Sequence, residues 1–224
     1  MKRRLYKILL QHRCGVLLVS LLLMLLLSPF TREDRIGRLI LSVLATFAIV
    51  SALYALARNR RELIVGIVLG FLALTGTWSF FGANTYAINI GHDLATGTFY
   101  VYTAFMLFRH ILVHEKEKVD SEVLFAAICV YLFIGIGWAD AYHVMEIVSP
   151  GSYVLSALVE EPQPVGRANL LYFSFTTLTT LGYGDILPTH EGARSLAILE
   201  AIVGVLYIAV MVSRIAGLYR RSDD

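Results

Sequence analysis

The sequence predicts an all-α membrane protein: six transmembrane helices, with a short re-entrant helix and an irregular loop between the fifth and sixth. Three observations carry this prediction. Residues AVILMFWYC make up 57% of the 224 residues and charged residues 16%, against roughly 45–50% apolar content for ordinary proteins on a similar residue set. The charges are clustered between long apolar stretches. Finally, the run Thr176-Thr177-Leu178-Thr179-Thr180-Leu181-Gly182-Tyr183-Gly184-Asp185 interrupts the last apolar region with a sequence that neither a helix nor a sheet in hydrocarbon favours. Irregular backbone at membrane depth survives only where it is buried in protein or lines a wet cavity.

Taken in order, Met1 to Lys7 is basic and Cys14 to Ser28 is nearly pure Leu and Val. A signal peptide would show a small-x-small cleavage pattern. Ser28-Pro29-Phe30-Thr31 lacks it, so this is the first span, extended by Leu5 to Leu10. Ile36 to Ala57 is the second, closed by Arg58, Arg60 and Arg61. Leu63 to Phe81 is the third, with Gly66 and Gly70 at the four-residue spacing that lets helix backbones approach. Asn84 to Asp93 is polar and expected to be a loop; Leu94 to Val113 is the fourth span. His114 to Asp120 is a mixed-charge connection, Val123 to His143 the fifth span, and Glu146 to Arg167 a Pro- and Gly-bearing extramembrane loop. Asn169 to Thr180 reads as a helix too short for the roughly 20 residues a bilayer needs. Arg194 to about Leu218 is the sixth span.

Most of the 19 Lys and Arg residues fall in the N-terminal segment, at 58–61, at 109–118 and at the C-terminal end. With six spans these positions share one side, and the positive-inside rule makes that side the cytosol. Both termini are therefore expected to be cytoplasmic, and the 176–185 loop to face outward. The net charge of +2 and the absence of a basic tract give no reason to expect nucleic acid. Cys14 and Cys129 lie in separate apolar segments and read as packing residues, with no disulfide or zinc spacing.

Thr180-Leu181-Gly182-Tyr183-Gly184-Asp185 resembles the selectivity filter of pore-loop potassium channels, a family whose filter is also the general example of carbonyl-ring selectivity. The chain departs from the family at Leu181, where Val or Ile is usual. Beyond the filter, the plan resembles small bacterial six-span channels that lack a charged fourth helix. That resemblance implies a four-helix bundle over residues 1–118, similar to a voltage-sensor domain without gating arginines, and a pore domain over 119–224. It also implies a homotetramer in the plasma membrane among lipids, since one loop contributes only one oxygen to each ion-coordinating ring.

The resemblance assigns roles residue by residue. Carbonyls of Thr180, Leu181, Gly182 and Tyr183 would bind K+, with the Thr180 hydroxyl closing the innermost site, and Gly182 and Gly184 would permit the left-handed backbone that aims them. Tyr183 would point away from the axis against the short helix, near the aromatic pair Tyr172 and Phe173. Asp185 would sit at the outer mouth. Gly204 stands at the family's inner-helix hinge position, or is a packing glycine. The same alignment turns Val205, Ile208, Val212 and Ala216 toward the axis as an apolar cavity wall and gate, a spacing that keeps one helical face. Glu200, an acid within a span, is a candidate filter support against Thr176 or Thr177, or a buried neutral structural acid. Asp140 and His143 could pair, with exposure to water the preferred reading.

Function classes follow. The leading reading is passive K+ conduction with K+ as the permeant ion and no organic cofactor; a non-selective monovalent cation channel on the same fold is the alternative. Steep voltage gating needs several charges along one helix, and the fourth segment has only Arg109. An enzyme would need a nucleophile–base–orienter set, which is not recognisable here. A transporter subunit would be expected to show an inverted repeat or matched broken helices. After Arg221 only Ser222, Asp223 and Asp224 follow, so a cytosolic ligand-binding module is not expected.

Overall fold

The computed structural model describes residues 13–28, 35–57, 59–79, 86–113, 121–156 and 165–221. The basic N-terminal segment, the 114–120 connection and the Pro-rich part of the 146–167 loop lie outside these residues. The described elements are helices α1 (Arg13–Leu27), α2 (Arg35–Leu56), α3 (Arg60–Ser79), α4 (Tyr86–Val113) and α5 (Ser121–Val148), strand β1 (Tyr153–Leu155), helix α6 (Arg167–Leu178), strand β2 (Ile186–Pro188) and helix α7 (Glu191–Arg221).

Among the described residues, four helices are long and apolar enough to cross a membrane, over Leu39–Leu56, Arg60–Trp78, Ser121–Val148 and Glu191–Gly217. Helix α1 is apolar but shorter. Helix α4 is long enough, but its first turns carry Asn89, His92 and Asp93. That is a correction: the polar stretch expected to be a loop up to Asp93 is helical from Tyr86. The reason is tertiary. Winding these residues into α4 places Asp93 against α5 and α6, where its charge finds partners, so polarity did not have to mean solvent.

Helix α5 is the central element, with α1, α4, α6 and α7 all packed on it. One apolar core runs from Cys14, Leu17 and Leu21 through Ile49, Phe99 and Ile111 to Val130, Phe133, Ile136 and Met211. The first four helices therefore reach the α5 of their own chain through α1 and α4, with α2 and α3 packed on these two. Both cysteines are buried and neither is in a disulfide. The close-approach reading of the third segment also holds at Gly70, where a Cβ would meet Ile49 and Phe99 side chains at 3.3 Å.

A second, smaller core forms where α5, α6 and the strands meet, built on Tyr142, Tyr153, Val165, Leu170, Phe173, Ile186 and Ala193. Rings of Tyr142, Tyr153 and Phe173 lie 5.1–5.5 Å apart by centroid. Strands β1 and β2 pair antiparallel in the register Tyr153↔Pro188, Val154↔Leu187, Leu155↔Ile186. The turn before β1 is held by Glu146, whose carboxylate accepts from the N–H groups of Gly151 and Tyr153 at 2.8 and 3.1 Å. This explains why α5 extends past His143: its last turn carries the clamp. The ribbon fastens the segment following Asp185 to the end of α5.

Candidate ion-conduction site

Helix α6 ends at Leu178, two residues before the expected Thr180. Thr179 is its C-cap, and Thr180 turns into the left-handed region with φ 58°, a backbone angle that stops a helix. The loop then alternates. Thr180, Gly182 and Gly184 have φ of 58°, 54° and 75°, while Leu181 and Tyr183 between them stay at negative φ. For a β-branched residue a positive φ is an outlier worth about 1–3 kcal/mol of strain. The glycines at 182 and 184 adopt the same geometry without that cost.

The donors of this loop are committed to one side. The N–H groups of Leu181 and Gly182 both donate to the Thr176 carbonyl, at 2.9 and 3.1 Å, and that of Thr180 to Thr177 at 2.9 Å. Among the described residues, no carbonyl from Thr180 to Gly184 accepts a hydrogen bond. Alternating backbone of this kind turns successive peptide groups the same way. With the N–H groups of Thr180, Leu181 and Gly182 fastened to α6, the carbonyls are left available for something else.

The Tyr183 ring stacks on Tyr172 of α6 at 6.4 Å with an interplanar angle of 2°. The Asp185 side chain accepts from Ile186 N at 3.1 Å, and its backbone carbonyl accepts from Ser156 N at 2.7 Å. The outer end of the loop is thus tied both to α6 and to the ribbon. Phe173 faces the other way, into the aromatic core.

Glu200 of α7 is fully buried, and the structure corrects its expected partners. It reaches neither Thr176 nor Thr177. Its carboxylate meets Ser174 Oγ at 2.5 Å and is hydrogen-bonded by the Tyr142 hydroxyl. Ser174 Oγ also contacts the Gly135 carbonyl at 2.6 Å, so one cluster joins α5, α6 and α7 behind the loop. The Thr176 hydroxyl bonds Phe173 O; it is the Thr176 carbonyl that holds the loop. Gly204 lies against Leu178 at the end of α6, within an uninterrupted α7. Val205, Ile208, Val212 and Ala216 are exposed along α7 in the single chain. Tyr131 donates to the Leu178 carbonyl at 3.3 Å and Tyr207 to the Ala127 carbonyl at 2.5 Å, fixing α5 against α6 and α7.

Asp140 and His143 neither pair with each other nor simply face water. Asp140 bonds Thr96 and Arg167, and His143 bonds Asp93. Sequence reasoning missed Ser174, Tyr142, Tyr153 and the ribbon because each acts through a distant partner. The Asp140 cluster did carry a signal, since an acid within an apolar helix calls for a partner.

Helix α6 and the loop that follows it thus lie between α5 and α7 in the chain, tied to both. Residues 122–221 match the model of the ion channel family. Potassium voltage-gated channel subfamily A member 10 of Homo sapiens is 35% identical over 99 residues, 42% of this chain and 17% of that protein. Protein LctB of Bacillus caldotenax is 29% identical over 110 residues, 46% of this chain and 78% of that one. Voltage-gated potassium channel Kch of Escherichia coli (strain K12) is 27% identical over 177 residues, 79% of this chain and 37% of that protein. Residues 122–221, a little under half of the chain, are therefore similar to the ion channel family. The match spans only 17% of the human relative and 37% of Kch.

Proposed function

We propose that the protein is the subunit of a homotetrameric channel that passes K+ down its gradient across the plasma membrane. It would use six spans, with both termini in the cytosol and the 180–185 loop facing outward. The observation that carries this reading is the alternation of φ sign along Thr180–Gly184 with the Leu181 and Gly182 N–H groups both fastened to Thr176 O. Carbonyl oxygens freed on one side are the ligands a dehydrated K+ requires, and four copies around an axis supply the rings. Two of the relatives named above are titled potassium channels, which supports the choice of ion.

The remaining roles follow from the same plan. Residues 1–118 form the bundle and 119–224 the pore domain. Val205, Ile208, Val212 and Ala216 line an apolar cavity that closes by dewetting. Glu200 supports the filter through Ser174 rather than through the filter residues themselves. Gly204 is the point where α7 bends or seats against α6.

Liposomes loaded with a K+ gradient test the reading: the wild-type chain carries flux, and Gly182→Ala, forced into a left-handed angle at φ 54°, loses it. Equal flux from the two would remove the channel claim. The non-selective alternative rests on Leu181, which lacks the β-branch that stiffens Val or Ile. Bi-ionic reversal potentials in K+ and Na+ decide between them, and a reversal near zero selects the alternative.

A further inference from the structure

A polar cluster away from the loop joins the bundle to α6. Arg167 is the first residue of α6. Its Nη2 bonds Asp93 on α4, and Asp140 on α5 at 3.0 Å. The second oxygen of Asp93 meets His143 Nδ1 on α5 at 2.5 Å, and the second oxygen of Asp140 accepts from Thr96 on α4 at 2.9 Å. The Asp93 side chain has no exposed surface and that of Asp140 only 10%.

A guanidinium at the first position of a helix has the same sign as the positive end of the helix dipole, so α6 by itself gains nothing from Arg167. The carboxylates need it instead. Two buried carboxylates are costly unless paired and hydrogen-bonded, and breaking such a set leaves charge uncompensated. The cluster therefore acts on where α6 can sit, because only one placement satisfies Asp93 and Asp140 together.

That placement reaches the conduction loop. Helix α6 is a short rod of 12 residues, and its far end carries Thr176 O, the acceptor for Leu181 and Gly182, as well as the Leu178 backbone beside Gly204. At the opposite end of the bundle, α4 meets α7. The Phe108 and Tyr207 rings lie 6.0 Å apart, and Arg214 Nη2 donates to the Leu112 carbonyl at 2.9 Å. Helix α4 thus touches the start of α6 at one end and the inner helix at the other.

We propose that Arg167 is a positioning residue for conduction: bonded to Asp93 and Asp140, it makes α4 a strut that sets α6, so that the bundle governs how much of the time the loop conducts. This rests on the channel reading above and gives the first four helices a role that needs no gating charge. The loop's own chemistry is untouched by it, so conductance per opening and ion preference stay fixed while open probability moves.

The test uses the full chain in planar bilayers, recording single channels from wild type, Arg167→Met, Arg167→Lys, Asp93→Asn and the Asp93→Asn/Arg167→Met double variant. Arg167→Met lowers open probability about tenfold, with unitary conductance and the K+/Na+ reversal potential unchanged, and Arg167→Lys recovers most of the loss. Asp93→Asn lowers it too, and the double variant falls no further than the worse single, the non-additivity of residues that share one network. If Arg167→Met does not assemble, Asp93→Asn against Arg167→Lys carries the same comparison, because both keep the cluster's shape. Wild-type open probability in Arg167→Met or Asp93→Asn, no recovery with Lys, or losses that multiply in the double variant each overturn the proposal. A wild-type chain that passes no ions rejects the channel reading and this inference with it, a result distinct from all of these.

Discussion

Gly204 on α7 lies so close to the end of α6 that a Cβ built on it would sit 2.2 Å from the Leu178 carbonyl oxygen and 3.0 Å from Leu178 Cδ1. The first of these is backbone, which cannot move aside as a flexible side chain can. The inner helix and the helix that holds the loop are therefore seated backbone to backbone, and only glycine permits it.

The consequence for Gly204→Ala runs against propensity. Alanine favours an isolated helix by about 0.8–1.0 kcal/mol over glycine, yet here it must push α6 away, an overpacking cost of about 1–3 kcal/mol. We expect a lower melting temperature for the assembled protein and reduced K+ flux. A variant as stable and as conductive as wild type would show that α6 is not seated on α7 in this way.

Glu200 gives a prediction about hydrogen-bond inventory. Ser174 has one hydroxyl proton but contacts both the Gly135 carbonyl, an obligate acceptor, and the Glu200 carboxyl, at 2.6 and 2.5 Å. A glutamine at 200 can donate to Ser174 and accept from Tyr142, so Glu200→Gln keeps the cluster complete. Glu200→Ala leaves the buried Tyr142 hydroxyl without its acceptor, at about 1–3 kcal/mol, and opens a cavity. Thermal unfolding in detergent should rank wild type and Gln together, with Ala well below. Equal melting of Gln and Ala would mean that the cluster contributes nothing.

Tyr172 of α6 and Tyr183 of the loop are stacked. Stacked aromatic pairs contribute about 0.5–1.5 kcal/mol beyond burial, enough to bias the loop between conducting and relaxed shapes. Tyr172→Ala should lower the K+/Na+ permeability ratio by up to about tenfold, read from bi-ionic reversal potentials. Tyr172→Phe keeps the stack and loses only the hydroxyl, so its ratio should stay near wild type. An unchanged ratio in Tyr172→Ala would remove Tyr183 as the spacer.

Tyr153 lies outside the membrane-spanning helices, is 2% exposed, and its hydroxyl has no hydrogen-bond partner among the described residues. Burial, with the nearby Glu146 carboxylate as a lesser cause, pushes the phenol well above its usual range. Since the folded state holds the neutral phenol, its contribution is full below the unfolded value of about 10 and is lost as pH rises above it. Tyr153→Phe should leave neutral-pH stability equal or slightly higher, by up to about 1 kcal/mol, and flatten the loss of stability at alkaline pH. A steeper alkaline loss in the variant would contradict the assignment.

What could be read along the chain and what could not divide on locality. Apolar run length, charge placement and the Thr180–Asp185 hexapeptide each depend on neighbours in sequence. From them came the membrane class, the helix before the loop and the family resemblance. Left-handed geometry at Gly182 and Gly184 was legible too, because glycine announces it. Left-handed geometry at Thr180 was not, since a β-branched residue takes that angle only when its surroundings hold it there. Glu200 was visible as a buried acid, but its partners are Tyr142 and Ser174, on two other helices. Asp93 looked like loop polarity until α5 and α6 supplied His143 and Arg167. The packing of the bundle on its own α5 was likewise settled only in three dimensions. Composition determines which residues avoid water and which backbone angles are cheap; which buried charge meets which partner is decided when distant segments compete for the same space.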